Sequence, residues 1–433
     1  MTKLIINGWK ALKGTITPVA NKNSVIKMIP AALLTDEIVT IHNVPMSSDV
    51  KYMCQIVEKL GGKVEYLNNN TTLKIDCSTV NRFDIDPELS DKMKASVMFL
   101  GPLLIKFGKA QMPTPQGCKL GTRPLDSLIQ NMIDIGADYK HENGNYYLSI
   151  DQSKISGKEI RSRFPSVTGT ENLIIFATKI QGTTIIYNAA CEPHTQELCH
   201  FLNAMGANIS GIGSNKIIIE GVWHLKGVEW TVDSDHLDVG GFIAATVMTG
   251  WELTIKNAVV KHMDMILQVY KKLGVTVEID RAKDEIFVPK NQKLVIDKTV
   301  KGDLFDIKAL HRPLFPADLI HVASVLALKA QWSAIFINSF YEYSFFFVEE
   351  LAKMKALTVM ADPMRIITFG PTQFKPANLI SPNIIQASYA MVICALAAEW
   401  KSVISEVEPL FRRYPDIDKQ FNSIGADIEI IRE

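Results

Sequence analysis

The sequence predicts an α/β protein of two similar domains, each built from three copies of a unit of roughly 70 residues. Three observations predict it. A short apolar-glycine motif recurs six times, as Leu60-Gly-Gly-Lys-Val64, Ile135-Gly-Ala-Asp-Tyr139, Met205-Gly-Ala-Asn-Ile209, Leu273-Gly-Val-Thr-Val277, Met354-Lys-Ala-Leu-Thr358 and Ile424-Gly-Ala-Asp-Ile428, spaced 68 to 81 residues apart. An amphipathic helix pattern precedes each motif, and two short alternating strands with a turn follow most of them. A unit that mixes helices with hairpins packs best in small groups around shared cores, so a solenoid is the weaker reading.

Taken in order, Asn21-Lys22-Asn23 follows a short strand pattern and opens the first helix. One asparagine is expected to cap it. Lys22 is the anomaly, because helix N-termini attract anions; a phosphate shared with the free N–H groups would account for it. Asp49 to Leu60 and His194 to Met205 read as helices, each stopped by a glycine suited to a left-handed C-cap. Glu171 to Ile180 reads as a helix, Thr183 to Tyr187 as a strand, and Asn208 to Glu220 as a hairpin. Three units end near residue 233, where the domains divide without a low-complexity linker.

The stretch Pro113 to Asp126 holds two glycines and three prolines around Cys118, which rules out a helix or central strand there. Lys119 and Arg123 surround the thiol with positive charge, the setting of an acid or nucleophile. Arg123-Pro-Leu-Asp126 reads equally well as a solvated ion pair. Asp318, after Phe315-Pro-Ala, reads as a helix N-cap or a base. The aromatic run around Glu342, from Tyr341 to Phe347, reads mostly as packing. Arg412 and Arg413 read as solvated charge before the last helix, and His194 and His311 as structural.

Composition narrows the class. Forty-six basic and forty-six acidic residues leave no net charge, so nothing supports a general nucleic-acid or membrane-surface role. The six cysteines show no metal-ligand spacing, and Cys191 and Cys199 are expected to pack. The N-terminus lacks the apolar core of a signal peptide. The longest apolar run, Ala95 to Ile105, falls short of the roughly 20 residues that span a bilayer. A reduced, cytoplasmic, soluble protein is expected.

These residues, in this order, resemble the enolpyruvyl transferase family across essentially the whole chain. The resemblance runs through Lys22-Asn23, Leu33-Leu-Thr-Asp36, Asn43-Val-Pro45 with Asp49-Val50, Gly101-Pro-Leu-Leu104 and Gly117-Cys118. It continues through Arg123-Pro-Leu-Asp126, Pro165-Ser-Val167, Thr170-Glu-Asn172, Asn188-Ala-Ala190 with Glu192-Pro193, and Phe201 to Ala207. The cysteine loop points to the sugar-nucleotide branch rather than the shikimate branch.

The resemblance implies a two-domain inverse α/β barrel closing on a cleft, with residues 22–233 as one domain and 1–21 plus 234–433 as the other. It implies transfer of enolpyruvyl from phosphoenolpyruvate to a hydroxyl of a uridine nucleotide sugar, with no metal and no organic cofactor. Cys118 is then the acid at the methylene carbon, Asp318 the acceptor of the hydroxyl proton, and Lys22 a catalytic cation. Lys22, Asn23, Arg123 and Arg412 would bind phosphoenolpyruvate. Asn23, Lys94, Arg123, Pro124, Leu125, Asp126, Ser127, Ser166, Val167, Thr168, Gly169, Asp318 and Phe340 would contact the nucleotide sugar.

Several positions depart from the family. Lys94, Ser344 and Gln386 stand where the family has arginines, and His236 and Asp238 replace an arginine and a glutamate. Lysine loses the bidentate fork of arginine, and serine and glutamine lose the charge. Arg365 and Arg413 are the candidates to compensate. Two alternatives therefore stay open: a divergent paralogue using another uridine nucleotide or a modified donor, and a catalytically weakened relative that only binds the nucleotide.

Overall fold

The structure is a computed structural model that describes residues 2–114, 125–341 and 343–432. The chain forms two compact units. Of the described residues, one holds those from Ala20 to Asp233; the other combines those up to Val19 with those from Ser234 onward.

The described residues form thirteen α-helices. In the unit that begins at Ala20 they are α1 (Lys22–Ala31), α2 (Ser48–Lys59), α3 (Pro87–Lys92), α4 (Leu100–Phe107), α5 (Asp126–Ile135), α6 (Val167–Ala177) and α7 (Pro193–Ala204). In the other unit they are α8 (His236–Thr249), α9 (Asp264–Lys272), α10 (Ile320–Ala327), α11 (Val348–Leu351), α12 (Ile385–Ala397) and α13 (Ile417–Ser423). Helices α1, α6, α8, α10 and α12 are buried around nearly their whole circumference. In the second unit α8, α10 and α12 pack against one another. The amphipathic helices, such as α2 and α9, keep one face in water.

The repeat has a structural counterpart in the sheets. Among the described residues there are six, three in each unit; five have four strands and one has three. In the four-stranded sheets an antiparallel pair of strands joins a strand that pairs in parallel with the fourth. Lys216–Glu220 thus lies between Asn208–Ser210 and Thr183–Tyr187, and Thr183–Tyr187 pairs in parallel with Glu159–Arg161. In the three-stranded sheet the fourth strand shrinks to a single parallel bridge, Asp84 to Gln111. The N-terminal strands complete sheets of the C-terminal sequence: Thr2–Asn7 pairs with Lys401–Ser405 and Ile428–Arg432, and Thr15–Ile16 with Leu253–Ile255. This architecture is the α/β repeat fold that the sequence predicts.

The helix-stopping glycines act as expected. Gly61, Gly136, Gly206, Gly274 and Gly425 all have φ between 90° and 127°, a region costly for any residue with a Cβ. The fifth repeat has no glycine there, and Lys355 takes the left-handed conformation itself, at φ 67°. No helix among the described residues is long and apolar enough to cross a membrane.

Candidate active site

The residues singled out by sequence fall into two constellations, one in each unit. Cys118, Arg123, Pro124 and Glu342 lie outside the described residues.

In the unit that begins at Ala20, Asn21 is the N-cap of α1, and its side chain accepts a hydrogen bond from the Asn23 amide at 3.0 Å. Asn23 is therefore the asparagine not used as a cap. Lys22 follows the cap, 8% exposed, and its Nζ lies 2.7 Å from Oδ2 of Asp49 in the first turn of α2. An ammonium this buried at a helix N-terminus needs a nearby anion, and Asp49 supplies one. Lys94 opens a 3-10 turn and is half-buried.

A second feature of this unit was not read from the sequence. Lys27, five residues beyond Lys22 and likewise buried, forms an ion pair with Glu171 of α6. The other oxygen of Glu171 takes hydrogen bonds from His194 Nδ1 at 2.6 Å and Thr195 Oγ1 at 3.0 Å, both in α7. Burial works against the charge of Glu171, but Lys27 and His194 outweigh it and hold the carboxyl down to about 2. One carboxylate thus ties three helices together, and His194 is structural, as expected. The available signal was a lone lysine in the apolar run Val25-Ile-Lys-Met-Ile29.

Helices α5 and α6 pack against each other, and the N-termini of both carry predicted nucleotide contacts. Ser166 caps α6, accepting from the Gly169 amide at 3.2 Å. At α5 the cap position is Leu125, which offers no side-chain acceptor, so the N–H groups of Asp126 and Ser127 are not capped by it. The Ser127 hydroxyl is buried and finds no hydrogen-bond partner among the described residues. A Cβ on Gly169 would lie 3.1 Å from Ser166 Oγ and 3.6 Å from Ser127 Oγ, so the glycine keeps space open between the two helix ends. Amides without a side-chain cap, and a hydroxyl without a partner among the described residues, beside such a space are the ingredients of an anion site.

In the other unit, Asp318 sits in the 3-10 turn Ala317–Leu319 that leads into α10. It is not a cap: Pro316 holds that position and no side chain caps the turn. Instead its Oδ1 accepts a hydrogen bond from Gln386 Nε2 of α12 at 2.8 Å, and its Oδ2 faces Arg413 Nη1 at 3.8 Å. The carboxylate retains access, with 26% of the side chain exposed.

Arg413 overturns the reading of solvated charge. It is 6% exposed and forms an ion pair with Asp235, the N-cap of α8. Arg412 ends the 3-10 turn Glu408–Arg412 and is half-buried. Beneath them, Asp238 is fully buried with its Oδ2 accepting from the Val19 amide at 3.2 Å. Burial, and then the neighbouring Asp235, push its carboxyl up to about 7. Tyr389 and Tyr414 stack with ring centroids 4.5 Å apart. Gly241 of α8 makes room for that stack, because a Cβ there would lie 2.4 Å from the Tyr389 hydroxyl.

Phe340 presents its ring edge-to-face to His311 at 4.5 Å, so His311 packs beside a predicted sugar contact. Within the aromatic run only part is core: Phe345 and Phe347 are buried, while Tyr343 and Phe346 stack on each other at the surface. Ser344 is wholly buried; its hydroxyl accepts from Asn338 Nδ2 at 2.9 Å and its carbonyl from His321 Nε2 at 3.1 Å. It is thus a core hydrogen-bonding residue. Arg365 pairs with Asp362 in solvent and makes no contact with Asp318. Burial pushes the thiols of Cys54, Cys77 and Cys199 up to about 12, the opposite of a reactive cysteine.

The family model described as EPSP synthase (3-phosphoshikimate 1-carboxyvinyltransferase) matches residues 6–421. A protein of Borreliella burgdorferi named UDP-N-acetylglucosamine 1-carboxyvinyltransferase is 36% identical over 432 residues, covering 100% of both chains. Proteins of the same name from Bacteroides thetaiotaomicron and Bradyrhizobium diazoefficiens are 36% and 35% identical, over 99% of this chain and 99% and 98% of theirs. Among solved structures, the enolpyruvyl transferase NikO from Streptomyces tendae superposes with a TM-score of 0.86 at 20% identity, covering 99% of this chain and 98% of its own. EPSP synthase from Acinetobacter baumannii gives 0.77 at 16% identity over the full length of both.

Proposed function

From the premise that the chain belongs to the EPSP synthase (3-phosphoshikimate 1-carboxyvinyltransferase) family, we propose that it transfers the enolpyruvyl group of phosphoenolpyruvate to a hydroxyl of UDP-N-acetylglucosamine. Such a step belongs to peptidoglycan precursor synthesis in the cytoplasm. One observation carries the choice of acceptor: relatives matched along their full length at 35–36% identity bear that activity in their names.

In this reading the sugar hydroxyl adds to C2 of phosphoenolpyruvate while a proton is delivered to C3. A proton then leaves C3 and the C2–O bond to phosphate breaks, releasing phosphate and the enolpyruvyl ether. Asp318 takes the hydroxyl proton; its accessible carboxylate, held on one oxygen by Gln386, supports that role. Cys118 supplies the proton to C3. Lys22, Asn23, Arg123 and Arg412 hold phosphoenolpyruvate, a small anion that needs converging cations. The ends of α5 and α6, through Pro124, Leu125, Asp126, Ser127, Ser166, Val167, Thr168 and Gly169, receive the diphosphate. The open space at Gly169 and the unpartnered Ser127 hydroxyl support that assignment. Lys94 and Phe340 serve the sugar side.

The test is phosphate release from phosphoenolpyruvate with and without UDP-N-acetylglucosamine, in wild type, Cys118→Ala and Asp318→Asn. Release that depends on the nucleotide sugar and is lost in both variants is expected. Release that ignores the nucleotide sugar, or none at all, refutes the proposal.

A further inference from the structure

We propose that Arg413 is a positioning residue for Asp318, clamping its carboxylate in the orientation needed to accept a proton. The inference rests on the proposed role of Asp318 as base.

The geometry is specific. The Arg413 guanidinium spans two carboxylates: one terminal nitrogen pairs with Asp235, and the other lies 3.8 Å from Asp318 Oδ2. Asp235 is itself immobilised as the N-cap of α8, accepting from the Leu237 amide at 3.0 Å. Arg413 and Asp235 side chains are 6% and 2% exposed, whereas that of Asp318 is 26% exposed. A buried, rigid pair thus forms a platform from which charge reaches one partly accessible carboxylate. Gln386 fixes the other oxygen of Asp318 from α12. Two contacts from separate elements restrain rotation of the carboxylate, which a single amide donor cannot do.

This arrangement also gives a meaning to the glutamine at 386. The cation beside Asp318 enters from residue 413, in the turn after Glu408–Arg412, and α12 contributes only a neutral donor. The adjacent Arg412 and Arg413 thereby divide the work. Arg412 keeps the phosphate role proposed for it above, and Arg413 is committed to the base.

The experiment measures steady-state phosphate release with phosphoenolpyruvate and UDP-N-acetylglucosamine. It compares wild type, Arg413→Gln, the double variant Arg413→Gln/Asp235→Asn, and that double variant carrying Gln386→Arg in addition. The double variant removes both partners of the buried ion pair together and keeps an asparagine able to cap α8, so it covers the case in which the single variant fails to fold. In the double variant kcat is expected to fall by about 10²-fold, the scale of a misplaced catalytic group, with KM for the nucleotide sugar changed by less than about threefold. Gln386→Arg returns a guanidinium to Asp318 from α12 and is expected to recover about tenfold in kcat. A purely structural Arg413–Asp235 pair predicts no such rescue. A folded double variant with kcat within about threefold of wild type, or a decline that Gln386→Arg leaves unchanged, overturns the proposal while leaving the transferase reading intact. Absence of turnover in wild type overturns the transferase reading, and the role of Arg413 falls with it.

Discussion

Replacing Lys27 with Met tests the buried cluster that anchors α1 to α6 and α7. Glu171 is completely buried, and its carboxyl lies near 2 instead of the usual 4.5. That difference corresponds to about 3 kcal/mol of stability at neutral pH. Because the folded value is depressed, this contribution is present above about pH 4.5 and fades as pH falls toward 2. Without Lys27, Glu171 keeps only His194 and Thr195 as partners, and the penalty of a poorly compensated buried charge takes over. The expected loss at neutral pH is about 3–5 kcal/mol. The sign of the pH dependence also reverses for this group. Its folded pKa rises above the unfolded value, so protonation favours the folded variant and the deficit shrinks as pH drops from about 7 to about 5. Urea denaturation followed by tryptophan fluorescence reads this, since Trp230 packs edge-on against Phe201 in the same unit. A deficit under about 1 kcal/mol, or one that does not change with pH, refutes the account of this cluster.

Three further outcomes are expected. Lys355→Gly relieves the one helix stop that lacks glycine and raises stability by about 0.5–1 kcal/mol, read by denaturant midpoint; a loss contradicts the strain argument. Ser344→Arg places a cation in a fully buried site and breaks the bond from Asn338, so it lowers the melting temperature sharply and restores no activity. Asp238→Asn removes a carboxyl whose raised value makes its contribution greatest at low pH and lost as pH rises through about 7. The variant is therefore expected to gain on wild type as pH rises from about 4 to about 7 and to level off above it, and an equal stability difference at pH 5 and pH 8 contradicts this.

The fold was legible because its repeat is written in local chemistry. Glycines at five of six helix ends mark positions where only a left-handed residue turns the chain, and alternation marks the hairpins that follow. Lys355 shows that one such mark can be lost while the turn persists. Of the candidate site, Lys22 stands out locally after a capping asparagine, and Asp318 after Pro316. The site was not legible where meaning depends on a distant partner. Arg413 looked like solvated charge because Asp235 lies 178 positions away, and Asp318 looked like a cap because Gln386 lies 68 positions away. That Ser344 is wholly buried could not be read from its residue type. Glu171 was recognised within a motif, but its counter-ion Lys27 was not, although a lysine flanked by apolar residues on a buried helix demands a partner.

The central claim is tested most directly by identifying the product formed from ¹³C-labelled phosphoenolpyruvate and UDP-N-acetylglucosamine. The account predicts one labelled enolpyruvyl ether on the nucleotide sugar for each phosphate released. It predicts that Asp318→Asn slows formation by about 10²- to 10⁴-fold, the usual contribution of a general base. Phosphate release without a modified nucleotide sugar, or a modified product formed at an unchanged rate by Asp318→Asn, would contradict it.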